Sequence, residues 1–521
     1  MLGLEPVSDT EWAEIHRKVM AAGLLPGRSV RERLLALPSI DAFIEVAKAS
    51  GKTGVLDEAM LDELLAVTPT TPVVARTIAP IAEPDPKPAP RKHDLAHYNL
   101  SDFPMQAKDV DAEISVHFDI TGKSVTEGKK EDIQSFFNDR LKQVKRLILD
   151  RNLPNRPIAV NEALRRKRQL VDRDNQFTII GLVNEPKTTK NGHLMFTIED
   201  STGEVRCLLS QRDEGGPNQQ IVHAGLMDDD VIGVSGNFNQ SGELIYVDDI
   251  HFPPLNKHQR RRAGEDQAVS AAFISDLHLG SKTFLAPQWE KMIQWFHTDP
   301  LAQTVRYLVI SGDGVDGVGI YPGQDKHLDI TDLFNQYSKL GQMLQELPDW
   351  VEVLLLPGNH DAVRPAEPQP AIDPELQTDY NNTLFVGNPC DFSLHGVRVL
   401  SYHGVSIMDF VSSLRTVTFE TPEAAMRAMI DRRHLAPSWG GKTPLSPEPE
   451  DRLVIQEIPD IFVTGHVHGH HIENYKGVNL VHSSTWQDQT DYQRMLGFQP
   501  KPCILTIVNL HTHATAAIPF V

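Results

Sequence analysis

Apolar positions between residues 1 and 66 recur at helical spacing. Trp12, Ile15, Val19 and Met20 form one group, Leu34, Leu35, Phe43, Ile44 and Val46 a second, and Leu61, Leu64 and Leu65 a third. Gly23, Pro26-Gly27, Pro38 and Gly51 keep the predicted helices short. The expectation is a small helical N-terminal module suited to docking rather than catalysis. Periodicity then stops. Seven prolines lie between Pro69 and Pro90, which makes residues 67–95 a Pro-rich, extended and solvated linker. The module ahead of it should move relative to the rest.

A strong helix is predicted over residues 126–151, with Thr126 as its cap. Ile133, Phe136, Phe137, Leu141, Val144, Leu147 and Ile148 make one apolar stripe. Residues 176–255 then read at period two. Strands are expected over 177–184, 194–200, 204–210, 231–238 and 243–250, with turns at Lys190-Asn191-Gly192, Ser201-Thr202-Gly203 and Gln240-Ser241-Gly242. Five short strands in this span suit an OB-type β-barrel. Such barrels stack single-stranded bases on aromatics. Phe177, Phe196, Phe238 and Tyr246 are few and mostly core, so protein docking is the favoured role. Lys257 and Arg260-Arg261-Arg262 form a basic linker after it.

Length and charge refine this picture. At roughly 100–200 residues per domain, 521 residues call for about three domains. Three cysteines, Cys207, Cys390 and Cys503, are too few for a disulfide scaffold or a cysteine-only zinc site and fit a reducing cytoplasm. No apolar run of about 18 residues exists, so no membrane span is expected, and the first residues do not read as a secretory signal. The net charge is −20, which repels phosphate backbones at long range. The exception is the basic helical segment 125–175: residues 129–174 hold 13 basic and 7 acidic residues, with Arg165-Arg166-Lys167-Arg168 the densest run. A solvated face is the plain expectation for it, and contact with DNA or an acidic partner the functional one.

From residue 268 a pattern repeats five times: an apolar run ends abruptly in polar, metal-competent residues. Residues 272–274 end in Ser275-Asp276-Leu277-His278 and 308–310 in Ser311-Gly312-Asp313. Residues 353–356 end in Pro357-Gly358-Asn359-His360-Asp361, 397–400 in Ser401-Tyr402-His403-Gly404, and 461–463 in Thr464-Gly465-His466-Val467-His468. Continuous apolar runs are strands buried on both faces, as in α/β sheets, and ligands gather beyond such strand ends. A lone strand-end histidine is usually structural. Five ordered motifs, each after its own run, are hard to obtain by chance. Imidazole, carboxylate and one amide without thiolate suit Mn²⁺, Fe²⁺ or Zn²⁺. Eight such groups exceed the needs of one ion, so two metals roughly 3.5–4 Å apart are expected.

These motifs resemble the calcineurin-like metallophosphoesterases, whose signature of Asp-x-His, Gly-Asp, Gly-Asn-His-Asp, His and Gly-His-x-His is present in order across residues 268–521. The resemblance implies that Asp276, His278, Asp313 and His468 hold one metal, and Asp313, Asn359, His403 and His466 the other. His360 would serve the scissile phosphate, with Asp361 orienting it. The implied metals are two divalent ions, Mn²⁺ foremost, with Mg²⁺, Fe²⁺ or Zn²⁺ as alternatives. Gly314 stands where a bulkier apolar residue is common, which is expected to loosen the loop without removing a ligand. The wider layout of helical module, tether, barrel and phosphoesterase resembles the small-subunit family of archaeal family D DNA polymerases. The expected fold class is therefore multidomain α+β: a small helical N-terminal module, an OB-type barrel and a C-terminal α/β metallophosphoesterase sandwich. The resemblance further implies a 3′→5′ exonuclease acting on single-stranded DNA and mismatched primer 3′ ends, a large catalytic polymerase subunit as partner, and contact with a sliding clamp through that complex. The insertions 362–391 and 411–459 are expected to build the site's rim or the partner face. A scaffold that retains the fold for assembly, and a small-molecule phosphatase or cyclic-nucleotide phosphodiesterase, are the rival functions.

Overall fold

The computed structural model describes residues 98–211, 218–255, 260–495 and 497–521, with short stretches between 15 and 65. The Pro-rich linker 67–95 and Lys257 lie outside the described residues. The chain divides into two compact units, Met1–Pro90 and Arg91–Val521.

In the first unit, helices Arg31–Leu35 and Glu58–Leu65 close on Val19, Leu24, Leu34, Phe43, Leu56 and Leu61. A purely helical module was expected. Instead β1 (Leu24–Pro26) and β2 (Gly54–Leu56) pair in parallel. Strands of three residues are shorter than any window in which period two can be told from period 3.6.

In the second unit, the basic segment forms a helix over Lys130–Leu149. Thr126 is not its cap. The start lies at Lys129, and the Asp132 carboxylate accepts from the backbone N–H groups of Lys129 and Glu127 in a capping box, with the Thr126 hydroxyl donating to it at 3.2 Å. The helix lays Val144 and Ile148 on Ile180, Leu182 and Val231 of the barrel and on Val454. Part of its basic character faces inward. Arg140 is fully buried, 2.6 Å from Asp451, and donates to the Pro437 carbonyl, while Phe136 and Phe137 pack on Trp439. The 411–459 insertion is therefore held against this helix within the same chain.

A strand not anticipated, β3 (Ile114–Phe118), precedes that helix. Then β4 (Phe177–Thr188), β5 (Leu194–Asp200), β6 (Gly203–Leu209), β7 (Val231–Phe238) and β8 (Leu244–His251) close into a five-stranded barrel in the order β4-β5-β6-β8-β7. Phe177, Phe196 and Phe238 fill its core and Tyr246 is exposed.

The C-terminal part contains two six-stranded sheets. Strands β9 (Ser270–Ile274), β10 (Val305–Ser311), β11 (Glu352–Leu356) and β12 (Thr383–Phe385) run parallel in the first. The second holds β13 (Cys390–Leu394), β14 (Val397–Ser401), β15 (Ile461–Thr464), β16 (His471–Tyr475) and β17 (Val478–His482). Strand β3 adds to it beside β13, across more than 270 residues of sequence. Strands β18 (Ile504–Asn509) and β19 (Thr515–Pro519) return antiparallel to the first sheet beside β9.

The five apolar runs are thus divided, three in one sheet and two in the other. Alternation explains why each run is continuous. Ala271 and Phe273 of β9, with Val397 and Val399 of β14 and Ile461 and Val463 of β15, fill the core between the sheets. Ala272 and Ile274 face helices Ala286–Thr298 and Leu333–Leu344. Leu400 and Phe462 face helices Ile407–Ser413 and Pro422–Arg432. Both faces of the central strands are covered, so the runs are almost wholly apolar; the exception is Arg398 of β14, which is partly buried and pairs with Asp391. Among the described residues, no helix is long and apolar enough to cross a membrane.

Candidate metal centre

The ends of β9, β10, β11, β14 and β15 bring Asp276, His278, Asp313, Asn359, His360, His403, His466 and His468 to one place. The turns that do this are strained. Asp276, His278, Asp313, His466 and His468 all have φ between 49° and 74°, a region costly for a residue with a Cβ, at roughly 1–3 kcal/mol each. The loops interlock: Asp276 N–H donates to the Gly312 carbonyl and His278 N–H to the Asp313 carbonyl, both at 3.0 Å. Glycine is required at two close approaches. A Cβ on Gly312 would collide with the His403 ring, and one on Gly358 with the Asp313 carboxylate.

Three groups of ligand-type atoms each lie within 4.8 Å of one another: Asp276, His278 and His468; His278, Asp313 and His360; Asp313, His403 and His466. The Asp313 carboxylate is common to the last two. His403 Nε2 lies 3.3 Å from Asp313 Oδ2 and 3.1 Å from Asn359 Oδ1. His278 Nε2 lies 3.1 Å from His468 Nε2 and 3.7 Å from Asp313 Oδ2.

The outward nitrogens decide what this arrangement can hold. His403 Nδ1 donates to the Ser311 carbonyl at 2.9 Å, and a carbonyl can only accept. His403 Nε2 faces two oxygen acceptors, Asp313 Oδ2 and Asn359 Oδ1, and carries a proton toward them that a bound cation would displace. His278 Nδ1 likewise donates to Asp316 Oδ1 at 3.0 Å. Imidazole, carboxylate and amide groups converge on one place, a donor set that fits divalent cations once the ring protons are displaced.

Electrostatics agree. Burial opposes a charge on His403, but Asp313 and Asp276 outweigh it and raise the ring to about 10. On His278, burial is outweighed by Asp316 and Asp313, and the ring rises to about 9. Asp313 stays well below the ordinary carboxylate range, since His403, His360 and His278 overcome its burial. His466 goes the other way, to about 3, because burial and the neighbouring His403 both disfavour its charge. The negative field that draws protons onto His278 and His403 is the field a cation would neutralise.

Asp361 does not meet the expectation that it orients His360. Its carboxylate accepts from the backbone N–H of Gly358 (2.8 Å) and Gly314 (3.2 Å) and from the Tyr337 hydroxyl (2.9 Å). It braces the loops that carry Asp313 and Asn359. Burial and the nearby Asp313 raise it to about 6. Gly314 does not loosen its loop either, because Asp361 holds its N–H and Leu340 lies 3.0 Å from where a Cβ would stand.

The group that orients His360 is Asp316, to which sequence reasoning gave no role. Its carbonyl accepts from His360 Nδ1 at 2.9 Å, and its carboxylate accepts from His278 Nδ1 and from Gln324 Nε2, each at 3.0 Å. Gln493, 2.8 Å from His468 Nδ1, was also missed. Asp316 follows Asp313 by three residues, the one sequence cue available. Gln493 lies 25 residues beyond His468 and has none.

Fold and site together define an α/β protein whose strand ends present a candidate binuclear metal centre. The DNA polymerase alpha/epsilon B-subunit family matches residues 271–472. The chain is 37% identical over 419 residues to the DNA polymerase II small subunit of Methanocaldococcus jannaschii, covering 78% of this chain and 68% of that one. It is 38% identical over 394 residues to the small subunit of Archaeoglobus fulgidus, covering 74% and 76%. Against that of Methanothermobacter thermautotrophicus it is 34% identical over 483 residues, covering 90% and 91%. The chain belongs to the DNA polymerase II small subunit family.

Proposed function

We propose that this chain is the small subunit of a two-subunit replicative DNA polymerase and carries its two-metal 3′→5′ exonuclease, which removes nucleotides from single-stranded DNA and mismatched primer ends. A large catalytic subunit would carry polymerisation and bring the sliding clamp. The observation that carries the proposal is the convergence of imidazole, carboxylate and amide at His403, Asp313 and Asn359. Asp276, His278, Asp313 and His468 would hold one cation, and Asp313, Asn359, His403 and His466 the other. A pair of divalent cations held by these residues, Mn²⁺ foremost, would supply charge neutralisation of phosphoryl oxygens and activation of an attacking water.

The chain's own groups supply the rest. Asp316 fixes the His278 ring through Nδ1 and holds His360 through its carbonyl. That leaves His360 Nε2 to stabilise charge on the scissile phosphate or to protonate the departing 3′ oxygen. Asp361 and Tyr337 keep the two loops in register. The test is nucleotide release from a 3′-mismatched primer by the purified chain in Mn²⁺. No release, with the chain alone or joined to its large subunit, overturns the proposal.

A further inference from the structure

Exposed apolar side chains are concentrated in the segment that follows Asp316. Of the fifteen large apolar side chains exposed among the described residues, four fall within residues 318–334: Val318 (46%), Ile320 (40%), Tyr321 (39%) and Phe334 (58%). Singly exposed apolar residues are ordinary; a concentration of them against a polar site calls for a ligand. The segment begins directly after Asp316. Gly317 packs so closely on the His360 carbonyl that a Cβ would collide with it, and the Ile320 side chain lies 3.0 Å from that same Cβ position. Tyr492 and Met495, also exposed, flank Gln493, which bonds His468.

The backbone beneath these side chains is firmly tied. Gly317 exchanges hydrogen bonds with the buried Gln336 amide at 2.9 and 3.1 Å. The buried Gln324 accepts from Ile320 N–H at 2.9 Å and donates to the Asp316 carbonyl at 2.9 Å. The Tyr321 hydroxyl is 2.9 Å from His327 Nδ1. Two buried glutamines thus hold a loop in place whose apolar side chains face water. Such pre-organisation lowers the ordering cost when a flat apolar surface is laid on it.

The geometry points to this apron as the platform for the unpaired 3′-terminal bases of a DNA strand whose phosphate lies at the metal centre. The inference rests on the exonuclease proposed above and adds the residues that would select an unpaired end. Bases in a duplex are already stacked on their neighbours. Frayed or mismatched terminal bases expose their faces, and an aromatic ring beside aliphatic side chains stacks them without reading sequence.

The experiment uses the full chain in Mn²⁺ with two single-stranded oligonucleotides, one natural and one whose two 3′-terminal residues are abasic. The wild type should show a KM about tenfold or more higher on the abasic strand. Tyr321→Ala combined with Ile320→Ser should raise KM on the natural strand by about tenfold, keep kcat, and leave KM on the abasic strand unchanged. Tyr321→Phe, which keeps the ring and loses only the hydroxyl's tie to His327, should raise KM on the natural strand less than the double variant does. If the double variant keeps the wild-type preference for the natural strand, the apron is not the platform. If wild-type protein releases nucleotides from neither strand, the exonuclease proposal fails instead. The apron is then judged by anisotropy of a fluorescent single strand in Ca²⁺, where about tenfold weaker binding by Tyr321→Ala supports it and unchanged binding overturns it.

Discussion

Replacing Asp316 by asparagine isolates a group that touches the candidate ligands without being one. Both carboxylate oxygens accept: Oδ1 from His278 Nδ1 and Oδ2 from Gln324 Nε2, each at 3.0 Å. Asparagine offers one acceptor and one donor in the same shape. One of the two bonds must therefore fail and leave a buried N–H facing another N–H, at a cost of about 1–3 kcal/mol. The surviving bond also loses its charge, which takes away roughly another 1 kcal/mol. The sum is about 2–4 kcal/mol. If half of it falls on ring orientation, metal affinity drops by about tenfold, at 1.4 kcal/mol per factor of ten. That lies within the roughly 10–100-fold expected of groups that hold a metal-binding histidine in place. Calorimetric titration with Mn²⁺ reads the affinity directly, and nucleotide release at saturating Mn²⁺ separates affinity from turnover. Affinity and rate both within twofold of wild type would refute the role given to Asp316.

Three further predictions follow the same physics. His360→Ala should abolish cleavage while metal content by elemental analysis stays near wild type, whereas Asp313→Ala should lose metal as well, because Asp313 is the residue shared by the two proposed metal sites and His360 belongs to neither. Arg140→Met should lower stability by about 3–5 kcal/mol, since it leaves the buried Asp451 carboxylate with only the His434 ring, which burial holds toward its neutral form, beside it, and the urea midpoint should fall accordingly. His482 is held neutral by burial at about 3 and rises toward its ordinary value of 6.5 on unfolding. The unfolded chain therefore binds the extra proton, and the stability that His482 contributes is present above pH 6.5 and is lost as pH falls toward 3. Between pH 7.5 and 5 the melting temperature of the metal-free wild type should therefore fall relative to that of His482→Gln, which lacks this proton linkage.

Much of the architecture was legible in residue patterns. The five barrel strands lie within a few residues of their expected places, because alternation with turn residues between is a local signal. The five strand-end motifs announced both the buried strands and the polar cluster, since a run covered on both faces is almost wholly apolar and gives way to polar residues where the strand-end loops begin. What tertiary structure alone decided was partnership. The runs are split between two sheets, β3 joins β13 across more than 270 residues, and Arg140 of a basic stretch turns inward to Asp451. Asp316 holds His360 where Asp361 was expected to, because the turn after Asp313 carries its carbonyl under the ring while Asp361 turns back toward the glycine amides. Periodicity records whether a position is covered. It carries no record of which distant segment covers it, because side-chain contacts form across space and leave no spacing in the chain.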